Sequence, residues 1–115
     1  MSFYWEPLIE GKERETYTIF LKDTVEFVGE ISLYHNKYSR MEIGVSILKK
    51  YRGQGIGKEI IKEWSMWLAD DRALQEVDIH IDEENIASRK CIEGLGANYM
   101  CNDGSRYYQL KLPVQ

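Results

Sequence analysis

Residues 41–57 read MEIGVSILKKYRGQGIG, and this stretch decides the fold. Met41, Ile43, Val45 and Ile47 alternate with Glu42, Gly44 and Ser46, the two-residue period of a half-buried strand over about 41–48. Beyond Gly55 the period changes. Ile56, Ile60, Trp64 and Trp67 recur at three- and four-residue spacing, and Ile61 and Leu68 widen the stripe. Glu59, Lys62, Glu63 and Asp70 fall largely outside it. A strand therefore passes through a glycine-rich turn directly into an amphipathic helix, which breaks near Asp71 and Arg72. Val77, Ile79 and Ile81 then alternate with Asp78, His80 and Asp82 in another strand. Strand 41–48, helix 55–69 and strand 76–81 form a β-α-β unit long enough for a parallel crossover.

Outward from this unit the pattern is mostly β. Upstream, Tyr17–Lys22 and Glu26–Leu33 are rich in β-branched and aromatic residues, and Asp23 and Thr24 between them predict a hairpin. His35, Asn36, Tyr38 and Ser39 mark a loop. Downstream, Asn85–Glu93 reads as a short helix with Asn85 as N-cap and Gly96 as its stop. Tyr99–Cys101 and Tyr107–Leu112 flank Asp103-Gly104, a hairpin signal. The expected fold is α+β, a mixed sheet covered by helices. Residues 15–115 form its single domain. Residues 1–14, with Phe3, Tyr4, Trp5, Pro7 and Gly11, read as a short docking arm or irregular strand.

Composition narrows the function. The chain has 115 residues, 43% hydrophobic and 30% charged, with a formal charge of -4. A basic nucleic-acid surface is therefore not expected, and a cationic acceptor is easier to attract than an anionic one. No run reaches the length of a membrane span, and no basic segment leads an apolar one, so the expectation is a soluble cytoplasmic protein without a membrane partner. Cys91 and Cys101 form no metal-ligand pattern and read as reduced packing residues.

Against this acidic background, Lys49, Lys50, Arg52, Lys58 and Lys62 concentrate positive charge around the turn. Glycines at 53, 55 and 57 remove Cβ atoms where the chain must turn tightly or where amides approach a ligand. The helix start adds unpaired N–H groups and the positive end of the dipole, which suits a diphosphate. The P-loop pattern fails because Glu59 follows Lys58, and the dinucleotide fingerprint is incomplete at Gly53 and Gly55.

Arg52-x-x-Gly55-x-Gly57 resembles the pyrophosphate-binding signature of the GNAT acetyltransferase superfamily. The strand at 41–45 before it, the long helix after it, and Asn85, Ser88 and Leu95-Gly96 downstream match in order over about residues 15–112. The spacing of Asn85 and Ser88 is most similar to the ribosomal-protein N-terminal acetyltransferase branch. The resemblance implies acetyl-CoA as cofactor. It implies pyrophosphate contacts from Arg52, Gly53, Gln54, Gly55, Ile56, Gly57 and Lys58, and pantetheine contacts from backbone near Val45 and Ile47. Asn85 and Ser88 lie beside the cofactor in the same reading, although capping alone also accounts for Asn85.

On the acceptor side the resemblance puts Glu42 beside the amine as a base, against the alternative of a solvated strand glutamate. His80 is a competing base with the intrinsic titration range for proton transfer, against the alternative of a satisfied or surface histidine. The tyrosine that many relatives use as thiolate acid is replaced by Ile92, leaving Tyr107 or Tyr108 as substitutes. The family carries a strand and two helices before the segment matching Tyr17–Leu33, so the resemblance implies a shortened N-terminus and a homodimer that supplies the missing wall. The expected function is acetyl transfer to a primary amine of a small molecule or peptide. The alternative is a noncatalytic coenzyme-A-binding partner.

Overall fold

The computed structural model describes residues 2–11 and 13–114. It comprises two compact units, with the division falling within the long helix after Ile60. In the first unit, β1 (Phe3–Glu10), β2 (Arg14–Leu21), β3 (Phe27–His35) and β4 (Met41–Ile47) form an antiparallel meander. A 3-10 turn at Lys49–Tyr51 leads to the start of α1 (Ile56–Asp71).

The alternation has a direct structural result. Tyr17, Ile19, Ile31, Leu33 and Ile43 fall on one face and are buried. Register puts the polar set on the other: Arg14 opposite Tyr34 and Tyr34 opposite Glu42, Thr16 opposite Ser32 and Ser32 opposite Gly44, Thr18 opposite Glu30 and Glu30 opposite Ser46. Gly29 is fixed by close approach, since a Cβ there would stand 2.2 Å from the Ser46 carbonyl oxygen.

Of the short docking arm or irregular strand expected over residues 1–14, the described residues form a strand. Phe3–Glu10 is an eight-residue strand registered along β2, with one shift between Pro7 and Ile9. Phe3 is buried, and Tyr4 stacks on Phe20 at 5.0 Å between ring centroids. The aromatic start supplies cross-strand pairs rather than a free anchor. Pro7 costs little because β1 pairs with β2 alone in this unit. β2 follows β1 in chain order with no helix between them among the described residues; Met1, Lys12 and Gln115 lie outside those residues.

The second unit holds the rest of α1 and then β5 (Glu76–Ile81), α2 (Ile86–Gly94), β6 (Asn98–Asn102) and β7 (Arg106–Lys111). β7 pairs antiparallel with β5 and with β6. Ile61, Trp64 and Leu68 of the helical stripe are buried, and the helix stops at Asp71 as predicted. α2 closes with Gly96 N–H donating to Glu93 and Ala97 N–H donating to Ile92, the paired bonds of a Schellman stop, with Gly96 at φ 93°. β6 is exposed throughout. Cys101 on it is an exposed thiol rather than a packing residue, whereas Cys91 is half-buried. The fold class is α+β, with strand, helix and strand following one another from Met41 to Ile81.

Candidate functional site

The turn before α1 is built by backbone conformation. Gly53 and Gly55 sit at φ 76° and 78°, the left-handed region that costs a side-chain-bearing residue strain. A Cβ at either would meet no protein atom within 4 Å, so the turn faces open space. The glycines are therefore required by conformation and not by protein packing. Gly55 C=O accepts from Glu59 N–H at 3.1 Å, the first bond of the helix. The amides of Ile56, Gly57 and Lys58 precede that bond, and the helix dipole adds partial positive charge beside them.

Side chains brace this turn. Arg52 Nε donates to the Ile47 carbonyl at 2.9 Å, and Gln54 Nε2 donates to the Lys50 carbonyl at 3.2 Å. Arg52 thus ties the turn back to β4. Lys50 Nζ lies 4.9 Å from the Tyr51 ring centroid, and Tyr51 Oη donates to Glu26. That hydrogen bond raises the Tyr51 pKa above its ordinary value. Val45 and Ile47 are half-buried on β4, with the Ile47 carbonyl already engaged by Arg52.

Glu42 is not on a solvated face. It is 3% exposed, and its carboxylate accepts from Tyr34 Oη at 2.8 Å and from Asn36 Nδ2 at 3.0 Å. Asn36 is itself fixed, because its Oδ1 accepts from the amides of Tyr38 and Arg40 in the β3–β4 turn. Burial, then the bond to Glu42, pushes Tyr34 up to about 12, so it stays a proton donor across neutral pH. Neither Tyr34 nor Asn36 was singled out from sequence. The signal was their hairpin position, since pairing β3 with β4 sets Tyr34 directly opposite Glu42.

His80 is partly buried. Its Nε2 lies 3.0 Å from Asp103 Oδ2, and its ring stacks on Tyr107 with centroids 4.9 Å apart. Asp103 belongs to the β6–β7 turn read from sequence only as a turn former. Asp78, read as a polar-face residue of β5, is completely buried and accepts from Tyr107 Oη at 2.9 Å. Tyr108 Oη donates to Glu93. Burial, and then that hydrogen bond, raises the Tyr108 pKa. Both tyrosine hydroxyls are therefore engaged, and Ile92 is buried.

Asn85 caps α2, its Oδ1 accepting from Ser88 N–H at 3.3 Å. Glu42 and the glycine turn belong to the first unit, while His80, Asn85 and Ser88 belong to the second. Among the described residues no group of three or more His, Cys, Asp or Glu could hold a metal ion, and no helix is long and apolar enough to cross a membrane.

Residues 2–98 match the Acetyltransferase (GNAT) domain family. The chain belongs to this family and is a GNAT-type acetyltransferase domain. Solved structures repeat the fold. A domain from Methanocaldococcus jannaschii superposes with a TM-score of 0.75 at 23% identity, covering 89% of this chain and 69% of that one. A putative ribosomal-protein-serine acetyltransferase from Vibrio cholerae gives 0.73 at 21%, covering 86% and 64%. A mutant spermidine N-acetyltransferase from Vibrio cholerae gives 0.75 at 13%, covering 87% and 65%. This chain thus spans roughly two thirds of the length of these relatives. No curated protein matches it significantly.

Proposed function

We propose that this chain binds acetyl-CoA at residues 52–58 and moves the acetyl group to a primary amine of a small molecule or peptide terminus. The observation that carries the reading is the turn itself: two left-handed glycines open to solvent beside the first amides of α1. Its residues fit a diphosphate, which needs converging N–H donors and room for a close approach. Arg52, Gly53, Gln54, Gly55, Ile56, Gly57 and Lys58 would hold that group. Val45 and Ile47 would serve the pantetheine arm through backbone atoms, with Asn85 and Ser88 beside it.

Bound acetyl-CoA supplies an acyl group activated as a thioester. The chain's own residues must orient an uncharged amine and accept its proton. Glu42 takes that role because its carboxylate is held in one orientation by Tyr34 and Asn36. His80, oriented by Asp103, is the competing base. Tyr107 and Tyr108 are weak candidates for the thiolate acid, since their hydroxyls serve Asp78 and Glu93. The spacing of Asn85 and Ser88 favours the ribosomal-protein branch. The protein works in the cytoplasm as a homodimer, without nucleic-acid or membrane partners. Sedimentation over a range of concentrations tests the dimer, and a monomer throughout would remove it.

The succession of β1 and β2 in chain order favours a second reading, a noncatalytic coenzyme-A-binding partner, because helices that could form an acceptor wall are absent there among the described residues. Release of coenzyme A, screened against polyamines, aminoglycosides and short peptides with free N-termini, separates the two. Turnover with any acceptor class supports the enzyme. A folded, cofactor-binding protein that acetylates nothing across the panel supports the binding partner.

A further inference from the structure

The polar face of the first unit carries a feature that the glycine turn does not explain. An open hollow of about 270 Å³ lies on β2, β3 and β4, lined by Arg14, Glu30, Ser32, Tyr34 and the Gly44–Ser46 stretch that includes Val45. We propose that this hollow is a binding site for a small zwitterion, a molecule with an anionic group and an ammonium joined by a short flexible chain. Its volume falls just below the range of pockets for drug-sized ligands, which suits an occupant of amino-acid size.

The charge pattern selects the class. Arg14 stands at the Tyr34 pair and Glu30 at the Thr18 pair, four residues apart along β2. At about 3.4 Å per residue their backbones are roughly 14 Å apart, too far for a close ion pair. Neither forms an ion pair with any described residue. Each end thus offers an uncompensated charge of opposite sign within one hollow.

The hollow is also organised before any ligand arrives. The Arg14 guanidinium sits 4.6 Å from the Tyr34 ring centroid, which fixes the cationic end by a cation–π contact. Between the two ends, Thr16 Oγ1 and Ser32 Oγ share a buried hydrogen bond of 2.9 Å, so the middle needs no ligand to satisfy it. Gly44 keeps the centre clear: a Cβ there would reach only the Tyr34 ring, at 3.8 Å. A dication would set like charge against Arg14, and a monoanion would leave Glu30 unanswered. A zwitterion meets both ends.

Because Val45 and Tyr34 also serve the proposed transfer site, the inference rests on that reading for its place beside the cofactor, but its test needs no acetyl-CoA. ε-Aminocaproate, cadaverine and caproate serve as probes, alike in chain and differing in end charges. Titration of the folded chain, followed by amide chemical shifts, should show ε-aminocaproate binding at least about tenfold more tightly than either of the others, a difference of about 1.4 kcal/mol. Shifts should centre on β2, β3 and β4. Arg14→Gln and Glu30→Gln should each weaken that binding about tenfold, and Arg14→Glu should invert the preference toward cadaverine. Arg14 is exposed and Glu30 only partly buried, so the fold should tolerate all three changes. Equal affinity for cadaverine, no loss in either glutamine variant, or no saturable binding up to about 10 mM would overturn the proposal.

Discussion

The turn at 52–57 and the cluster around Glu42 lie in the same unit yet are built on opposite plans. The turn is made of backbone: left-handed glycines, helix-start amides, and no protein atom where a Cβ at Gly53 or Gly55 would stand. The Glu42 cluster is made of side chains: a carboxylate closed in by Tyr34 and Asn36, with Asn36 held in turn by the β3–β4 turn. The first plan exposes donors to whatever arrives. The second spends its donors internally and offers a carboxylate of fixed orientation. A site of the first kind should fail when conformation changes, and one of the second kind when a single polar atom changes.

The largest expected effect follows from the first plan. Gly55→Val forces a β-branched residue into a left-handed conformation and should weaken acetyl-CoA binding about 100-fold by calorimetry, near the upper end of strain costs of 1–3 kcal/mol. Gly55→Ala, with its smaller side chain, should lose less, and thermal melts should show both variants folded. Unchanged affinity in folded Gly55→Val would sink the assignment of the turn.

Next is Glu42→Gln, which keeps shape and removes basicity. It should lower the rate of the chemical step by about 100-fold or more while leaving cofactor affinity intact. A larger loss in His80→Ala would transfer the role to His80. In Asp103→Asn, an altered pH profile would mark orientation of a catalytic imidazole, whereas a change in melting temperature alone would mark a structural tie.

Asn85→Ala should cost about 1 kcal/mol of stability through the lost cap, measurable by urea unfolding. Asn85→Asp retains capping, so lower acetyl-CoA affinity in a normally stable Asn85→Asp variant would mean that Asn85 also touches the cofactor. The smallest effect concerns Tyr34. Its folded pKa is raised to about 12, above the ordinary value of 10.0. The stabilisation is therefore fully present below pH 10 and is lost as pH rises toward 12, because the unfolded chain releases its proton first. Tyr34→Phe should flatten that part of the stability profile. An unaltered slope would mean that the phenol is not what titrates there.

The same contrast explains what could be read before any coordinates. The strand–turn–helix at 41–71, the Asn85 cap and the Gly96 stop were legible because each depends on local periodicity or on one residue's conformational preference. The environment of Glu42 was not. Alternation marks Glu42, Gly44 and Ser46 as the polar face, but whether that face meets water depends on the neighbouring strand and its turn. Asp78 was misread for the same reason, since Tyr107 reaches it from β7 across 29 residues of chain. The aromatic start could be read no further than a short arm or irregular strand, because its order comes from pairing along β2.

Asn36 carries one more consequence. Its Oδ1 organises the turn, and its Nδ2 is the donor that faces Glu42. Hydrolysis of that amide, the spontaneous ageing reaction of asparagine, would leave the oxygen in place and turn the nitrogen into a second carboxylate oxygen. The turn would keep its acceptor, while two carboxylates would meet where a donor and an acceptor now do, and one of them would have to hold a proton. Asn36→Asp reproduces that change. It should leave the hairpin folded and alter the pH profile of the chemical step. A folded Asn36→Asp variant with the native pH profile would show that Asn36 tunes nothing at Glu42.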